Sequence, residues 1–85
     1  MNFEVKVTPR AKKELFALPD KIIAAVEEAL LELEINPYSG DYKKLNGDNH
    51  RRRIGNYRIV YEIDTGVKLV TVFRIRHRSK AYRKF

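Results

Sequence analysis

The sequence contains no cysteine, and its 85 residues include only two histidines. Without cysteine, neither a disulfide framework nor a thiolate metal site can form, which fits a reducing cytosol. His50 and His77 have no carboxylate or cysteine companion at a ligand spacing, so we expect no metal site. The chain also lacks a long apolar run, because none of its runs of uncharged, mostly apolar residues is longer than Ile22 to Val26, which is far shorter than a membrane span. The N-terminal MNFEVKV is too polar and too short to predict a signal peptide. We therefore expect a single cytoplasmic domain over residues 1–85, with no membrane partner.

Acidic residues are scarce in the second half of the chain. Residues 1–42 carry five Lys or Arg against eight Asp or Glu, whereas residues 43–85 carry thirteen against three. Much of this positive charge falls in HRRRIGNYRIVY and VKLVTVFRIRHR, two segments typical of β-strands. Arginines at alternate strand positions share one face of a sheet, so the sequence predicts a positively charged surface that binds a polyanion.

The first half of the chain predicts one strand and two helices. Alternation of apolar and charged side chains over residues 3–7 indicates a half-buried strand, which we expect to lie beside the later strands. Thr8 followed by Pro9 is typical of a helix start, and this short helix should end before Pro19. A second helix is expected from about Asp20 to Ile35. Its apolar stripe consists of Ile22, Val26, Leu30 and Leu33.

The second half predicts a long irregular connection, PYSGDYKKLNGDN, and then three antiparallel strands. Gly55 and Asn56 suit a two-residue hairpin turn, and a three-residue loop of Asp64, Thr65 and Gly66 suits the next connection. The pairs expected across the first turn are Ile54 with Tyr57, Arg53 with Arg58 and Arg51 with Val60. The pairs expected across the second are Ile63 with Val67, Tyr61 with Leu69 and Tyr57 with Phe73.

These registers divide the strands into two faces. The face expected to pack against the helices collects Ile54, Tyr57, Ile59, Tyr61, Ile63, Val67, Leu69, Phe73 and Ile75. The opposite face collects Arg51, Arg53, Arg58, Arg74 and Arg76 toward one end and Val60, Val70 and Val72 toward the other. Arg52 is expected on the helix side, with its long stem reaching water from an edge strand. The predicted fold class is α+β: an N-terminal strand, a two-helix hairpin and a three-stranded antiparallel meander, with the helices packed on one sheet face.

Clustered arginines on one face repel each other unless an anion occupies the site. Their planar forks suit nucleic-acid phosphates or the carboxylates of an acidic protein partner, whereas a merely solvated basic face predicts mixtures of Lys and Glu. Such a face also suits metal-free RNA cleavage, in which the ribose 2′-hydroxyl is the nucleophile and arginines stabilise charge on the phosphoryl oxygens. Arginine is a poor base, so proton removal would fall to Tyr82, His77, Lys44 or a group of the RNA or ribosome. Tyr82 could instead stack on a base or anchor the C-terminus on the core, and His77 could be a solvent-exposed histidine.

The segments KKLNG, RRRIGNYRIVYEID and HRSKAY resemble the RelE and ParE superfamily of toxins from type II toxin–antitoxin modules, and the resemblance covers essentially the whole chain. The RelE branch implies a ribosome-dependent endoribonuclease, or mRNA interferase, that cuts mRNA in the ribosomal A site without a cofactor and so inhibits translation. It also implies a cognate acidic antitoxin that wraps around the toxin. By motif position, the resemblance implies catalytic roles for Arg53, Arg58, Arg76 and Tyr82. The expected RNA-binding residues are Lys44, Arg51, Arg74, His77 and Arg78.

Two differences from the superfamily pattern affect the expected catalytic mechanism and the choice between the RelE and ParE branches. Arg51 and Arg53 stand where some relatives carry lysine, and no glutamate of the meander suits the Glu/His acid–base pair of YoeB-like relatives, which favours Arg and Tyr chemistry. The ParE branch, which acts on DNA gyrase, shares the fold but tends to lack the full basic site and the final tyrosine. The alternatives are therefore a protein-binding gyrase inhibitor and an RNA-binding module without catalysis.

Overall fold

The structure is a computed structural model that describes residues 2–77, and within them two helices cover one five-stranded sheet. The elements in chain order are β1 (Glu4–Val7), α1 (Pro9–Phe16), α2 (Asp20–Ile35), β2 (Asp41–Lys44), β3 (Asn49–Ile54), β4 (Tyr57–Asp64) and β5 (Leu69–His77). The strands lie in the order β1-β5-β4-β3-β2, and β1 is parallel to β5 while the other neighbours are antiparallel. This architecture confirms the predicted α+β fold class.

The N-terminal half follows its sequence signals. The Thr8 hydroxyl caps α1 by accepting a hydrogen bond from the Ala11 N–H at 3.2 Å, and Pro9 occupies the first turn. Helix α2 spans the predicted Asp20–Ile35. The buried hydrophobic core comes from both helices and one sheet face: Ala11, Leu15, Val26, Ala29, Leu33, Ile59, Tyr61, Val70, Val72 and Ile75.

The first strand lies beside the meander, as expected. Val5 is paired with Val70 of β5, and residues 3, 5 and 7 pack partly buried against the core. The Phe3 N–H donates to the Glu34 carbonyl at 2.7 Å and so joins the start of β1 to the end of α2.

The predicted irregular connection contains a strand, and in this respect the prediction was wrong. Strand β2 pairs antiparallel with β3, placing Asp41 opposite Arg53 and Tyr42 opposite Arg52. The segment DYKK escaped prediction because it forms an edge strand in which Tyr42 alone packs against the core.

The pairing of β3 with β4 is as predicted, including Ile54 with Tyr57, Arg53 with Arg58 and Arg51 with Val60. Gly55 has φ 57°, the left-handed conformation that its place in the two-residue turn requires. Strand register therefore follows from this turn.

The turn between β4 and β5 differs from the prediction. It contains four residues, and Lys68 rather than Gly66 takes the left-handed conformation, with φ 57°. The Asp64 carboxylate accepts hydrogen bonds from the Gly66 and Val67 N–H groups at 2.9 and 3.2 Å. These side-chain bonds stabilise the turn, and the alternation of apolar and polar residues gives no indication of them.

A β-bulge then reverses the alternation within β5. Val60 pairs with Arg74 while the next residue, Tyr61, pairs with Val72, which leaves Phe73 as the extra residue. The predicted partners of Ile63, Tyr61 and Tyr57 are therefore wrong; the observed partners are Val70, Val72 and His77. Val70 and Val72 lie in the core rather than opposite it, whereas Val67, Leu69 and Phe73 lie outside the buried cluster. Beyond the bulge, Ile75 lies in the core as predicted.

Candidate nucleic-acid interface

Three arginines form a row across the central strands, on the sheet face opposite the helices. The register pairs Arg53 of β3 with Arg58 of β4, and Arg58 with Arg76 of β5. Directly paired side chains on adjacent strands share one face and lie about 5 Å apart at Cβ. We call Arg53, Arg58 and Arg76 the arginine row. The sequence predicted that these residues share one sheet face, and the strand pairing confirms this, although the pairing of Arg58 with Arg76 differs from the predicted register.

One carboxylate, that of Asp41, meets two arginines at the β3 end of the row. Its Oδ2 accepts a hydrogen bond from Arg53 Nε at 2.9 Å, and its Oδ1 lies 3.4 Å from Arg51 Nη1. The same Arg51 nitrogen donates to the Asp41 carbonyl at 3.1 Å. The bond from Arg53, more than that from Arg51, holds the pKa of Asp41 below its usual value, so the carboxylate is ionised at neutral pH.

Arg51 and Arg53 differ in exposure although they share a strand face. The side chain of Arg51 is 11% exposed and that of Arg53 is 40% exposed. The Arg51 Nε is buried, and no atom of residues 2–77 accepts a hydrogen bond from it. Arg53 is therefore much better placed than Arg51 to touch a ligand.

Glu14 of α1 holds Arg74 near the far end of the face. Its Oε2 accepts a hydrogen bond from Arg74 Nε at 3.1 Å, and its Oε1 accepts one from the Ile75 N–H at 2.8 Å. Strand β1 pairs with residues 69–72 of β5, and beyond this point, among the described residues, the Glu14 side chain rather than a strand accepts from the edge of β5. Arg74 is thus tied to a helix rather than aligned with the row.

Arg52 lies on the helix side, as predicted. Its Nη2 is 2.5 Å from Glu32 Oε1 of α2, and its Nη1 donates to the Ser39 hydroxyl at 3.2 Å. An Arg–carboxylate pair of this kind joins β3 to α2 and leaves the guanidinium unavailable to the arginine row.

Lys44 and His77 do not join the arginine row. Lys44 is paired with His50, whose ring stacks on Tyr61 in the helix-side core. His77 is paired with Tyr57, and the two rings meet edge to face at 5.1 Å. Both His77 and Tyr57 line a groove of about 390 Å³ beneath α1. The predicted Arg78 and Tyr82 lie outside the described residues, so their roles stay predictions.

An aromatic cluster that sequence reasoning missed supports β2 from the helix side. The His50 ring stacks between Tyr42 and Tyr61, with ring centroids 5.6 and 5.9 Å apart, and the Tyr42 hydroxyl lies 2.7 Å from His50 Nδ1. The buried Tyr61 hydroxyl donates to the Pro37 carbonyl at 2.6 Å. Burial, with a smaller contribution from the nearby Lys44 charge, lowers the pKa of His50 and favours its neutral form. This cluster fixes the edge strand that carries Asp41.

Asp41 and Glu14 were also missed as members of the face. A carboxylate four residues after Pro37 carries no motif, and its meeting with two arginines depends on a strand that the sequence did not predict. Glu14 is 60 residues from Arg74. Only the fold brings these pairs together.

The described part of the chain offers no obvious metal site or membrane span. Within residues 2–77, no three His, Cys, Asp or Glu side chains are grouped so that they could hold a metal ion. Over the same residues, neither helix has the length and apolar character needed to cross a bilayer. The guanidinium groups of the arginine row can recognise an anion and stabilise it electrostatically.

Comparison with protein families identifies the class to which this chain belongs. The family described as "ParE toxin of type II toxin-antitoxin system, parDE" matches residues 5–82, and the chain belongs to it.

Individual relatives point to the RelE group within that family. The chain is 37% identical over 84 residues to Toxin RelE of Mycobacterium tuberculosis, covering 95% of this chain and 87% of that protein. It is 35% identical over 88 residues to Toxin RelG of the same organism, covering 99% of this chain and all of the relative.

Solved structures show the same fold. The toxin–antitoxin complex RelBE2 from Mycobacterium tuberculosis contains a chain that matches with a TM-score of 0.82 and 32% identity, covering 92% of this chain and 100% of that one. The archaeal RelE–RelB complex from Pyrococcus horikoshii matches with a TM-score of 0.86 and 28% identity, covering 94% and 99%.

Proposed function

We propose that this protein is the toxin of a type II toxin–antitoxin module and that it inhibits translation by cutting mRNA on the ribosome. The observation that carries the proposal is the arginine row, in which Arg53, Arg58 and Arg76 stand side by side on the sheet face opposite the helices. Family membership and the similarity to proteins named RelE and RelG support it.

The proposed reaction is attack of a ribose 2′-hydroxyl on the adjacent phosphorus, followed by departure of the 5′-oxygen. The arginine row would bind the phosphate and stabilise the negative charge that grows on its oxygens in the transition state. Guanidinium groups suit this task because they stay protonated and present planar pairs of N–H donors. The 2′-hydroxyl must lose a proton and the leaving oxygen must gain one, and Tyr82 is the proposed side chain for proton transfer or for stacking on a base.

The proposed partner is a cognate acidic antitoxin that covers the arginine row. Carboxylates of such a partner would compete with RNA phosphates for the same N–H donors. The matched structures from Mycobacterium tuberculosis and Pyrococcus horikoshii are both toxin–antitoxin complexes, which supports a partner of this class.

The test is a translation reaction with intact ribosomes, in which new mRNA 5′ ends are mapped by primer extension. We expect new ends within the translated region, and Arg58→Ala should lower their rate of appearance by about a hundredfold because one donor to the transition state is lost. Tyr82→Phe should also lower it. Arg10→Ala is the matched control, since Arg10 is an exposed arginine of α1 outside the row.

A second candidate is inhibition of DNA gyrase, which the ParE description of the family favours. It predicts no new mRNA ends together with loss of gyrase supercoiling activity. Unchanged mRNA and unchanged gyrase, with RNA still bound, would instead indicate a non-catalytic RNA-binding module. Either result would overturn the nuclease proposal.

A further inference from the structure

Asp41 has a place in the arginine face that the proposed reaction does not use. It is the first residue of β2, lies directly opposite Arg53 in the sheet, and contacts both Arg53 and Arg51. A carboxylate is an unexpected neighbour for a phosphate, because the two like charges repel. Its role therefore needs a physical explanation.

The largely buried Arg51 side chain holds Asp41 in place. The Arg51 side chain is 11% exposed, and one of its nitrogens, Nη1, reaches both the carbonyl and the carboxylate of Asp41, at 3.1 and 3.4 Å. A buried guanidinium requires a neutralising partner, and Asp41 supplies it. This burial also makes Arg51 a poor direct ligand for RNA.

Asp41 in turn holds Arg53 by one nitrogen only. Its Oδ2 accepts from Arg53 Nε at 2.9 Å, while the two terminal nitrogens of Arg53 form no hydrogen bond with any of residues 2–77. An arginine fixed through Nε keeps the terminal pair of donors for a phosphate. Fixing a long side chain before binding also avoids part of the entropy that binding would otherwise cost.

We propose that Asp41 is a positioning residue for Arg53, and that Arg51 acts through Asp41 rather than on RNA. In this arrangement Arg51 fixes the carboxylate, the carboxylate fixes Arg53 Nε, and the terminal nitrogens of Arg53 bind the scissile phosphate. The inference rests on the proposed nuclease function, and it assigns Arg51 a different role from the RNA contact predicted from the sequence.

If Asp41 acted only through its charge, its removal would have the opposite effect to the one that a positioning role predicts. Removing the Asp41 charge raises the positive potential of the face, and a purely electrostatic role would therefore give tighter RNA binding and equal or faster cleavage. Asn and Ala replacements would then be equivalent, because both remove the same charge. A positioning role makes them differ, because Asn keeps an oxygen that can accept from Arg53 Nε.

The experiment is a double-mutant cycle on ribosome-dependent mRNA cleavage, with Asp41→Ala, Arg53→Ala and the double variant. We expect Asp41→Ala to slow cleavage by about tenfold in the wild-type background and by less than about twofold in the Arg53→Ala background, because the contact is already lost there. Asp41→Asn should recover part of the loss. The matched control is Asp48→Ala, which removes an exposed carboxylate from the loop before β3 and should leave the rate unchanged.

The outcomes separate this inference from the proposed function. Equal effects of Asp41→Ala with and without Arg53, or faster cleavage by Asp41→Ala and Asp41→Asn alike, would overturn the positioning role while the nuclease stands. A wild-type protein that cuts no mRNA would overturn both. Circular dichroism of each variant establishes that the comparison is made between folded proteins.

Discussion

At the residue scale, Gly40 shows how one position can determine the geometry of its neighbours. It precedes Asp41, has φ 72°, and lies so close to Arg52 that a Cβ added there would overlap the Nε and Cζ atoms of that side chain. Arg52 cannot move aside without giving up its bonds to Glu32 and Ser39. Both the backbone conformation and the close approach therefore require glycine.

We expect Gly40→Ala to lower the free energy of unfolding by about 2–3 kcal/mol, from left-handed strain together with displacement of Arg52. Urea denaturation monitored by circular dichroism measures this change. Gly47 is the matched control, because it has φ 62° but no heavy atom of residues 2–77 lies within 4 Å of an added Cβ. Gly47→Ala should cost only about 1 kcal/mol, which is the strain alone. Equal costs at the two glycines would contradict the role of Arg52.

Single residues also show what local chemistry can predict. Thr8 and Gly55 were predicted correctly because a helix cap and a tight turn each depend on a few adjacent residues. Asp41 could not be predicted, because its partners lie 10 and 12 residues further along the chain and on another strand. The pairing of Arg53 with Arg58 was predicted because one well-marked turn fixes their register. Alternation predicted that Arg76 shares their face, but its direct pairing with Arg58 was not predicted, because the register expected between β4 and β5 was wrong.

At the element scale, helix α1 completes the edge of β5. Where β1 stops, the Glu14 carboxylate accepts from the Ile75 N–H and from Arg74, so a side chain replaces the next strand. Ile75 is 1% exposed, and its N–H would be left unsatisfied if the carboxylate were removed.

Glu14→Ala should therefore lower the free energy of unfolding by about 1–3 kcal/mol, the usual cost of an unsatisfied buried donor. Chemical denaturation is again the measurement. Glu28→Ala, on the exposed face of α2, is the control and should change stability by less than about 0.5 kcal/mol. A Glu14 variant as stable as the Glu28 variant would show that water replaces the carboxylate.

Two elements were missed or displaced by the sequence prediction, and each has a physical reason. Strand β2 is short and its side chains are mostly exposed, so its pairing with β3 leaves little hydrophobic signal. The position of the bulge at Phe73 depends on how two strands fit together, and no residue near it is typical of a bulge. Alternation therefore predicted correctly which face Arg74, Ile75 and Arg76 take, and predicted wrongly which face Val70 and Val72 take.

At the scale of the whole molecule, charge is divided between the two halves of the chain. The helices and β1 lie in the acidic half of the chain, whereas the arginine row lies in the half that carries thirteen basic and three acidic residues. A face of this kind binds a polyanion largely by displacing counterions, so its affinity depends on salt.

We expect the logarithm of the affinity for a short single-stranded RNA to fall with the logarithm of salt concentration, with a slope of about −2 for contacts by the three arginines of the row. Arg58→Ala should make the slope shallower by about 0.7, because one phosphate contact is lost. Fluorescence anisotropy over a salt series measures both values. The control Arg10→Ala should keep the wild-type slope, and an equal change in the two variants would indicate diffuse attraction rather than a site.

The bulge at Phe73 has a consequence for how β5 combines stability with charge. A regular strand that buried Val70 and Val72 would also have turned Arg74 and Arg76 toward the core, since all four positions share one parity. Because Phe73 is an additional residue, the side chains before it and after it alternate between the two faces in opposite phase. Val70 and Val72 can therefore be buried while Arg74 and Arg76 point away from the core, and these two arginines can be exchanged without changing which valines are buried.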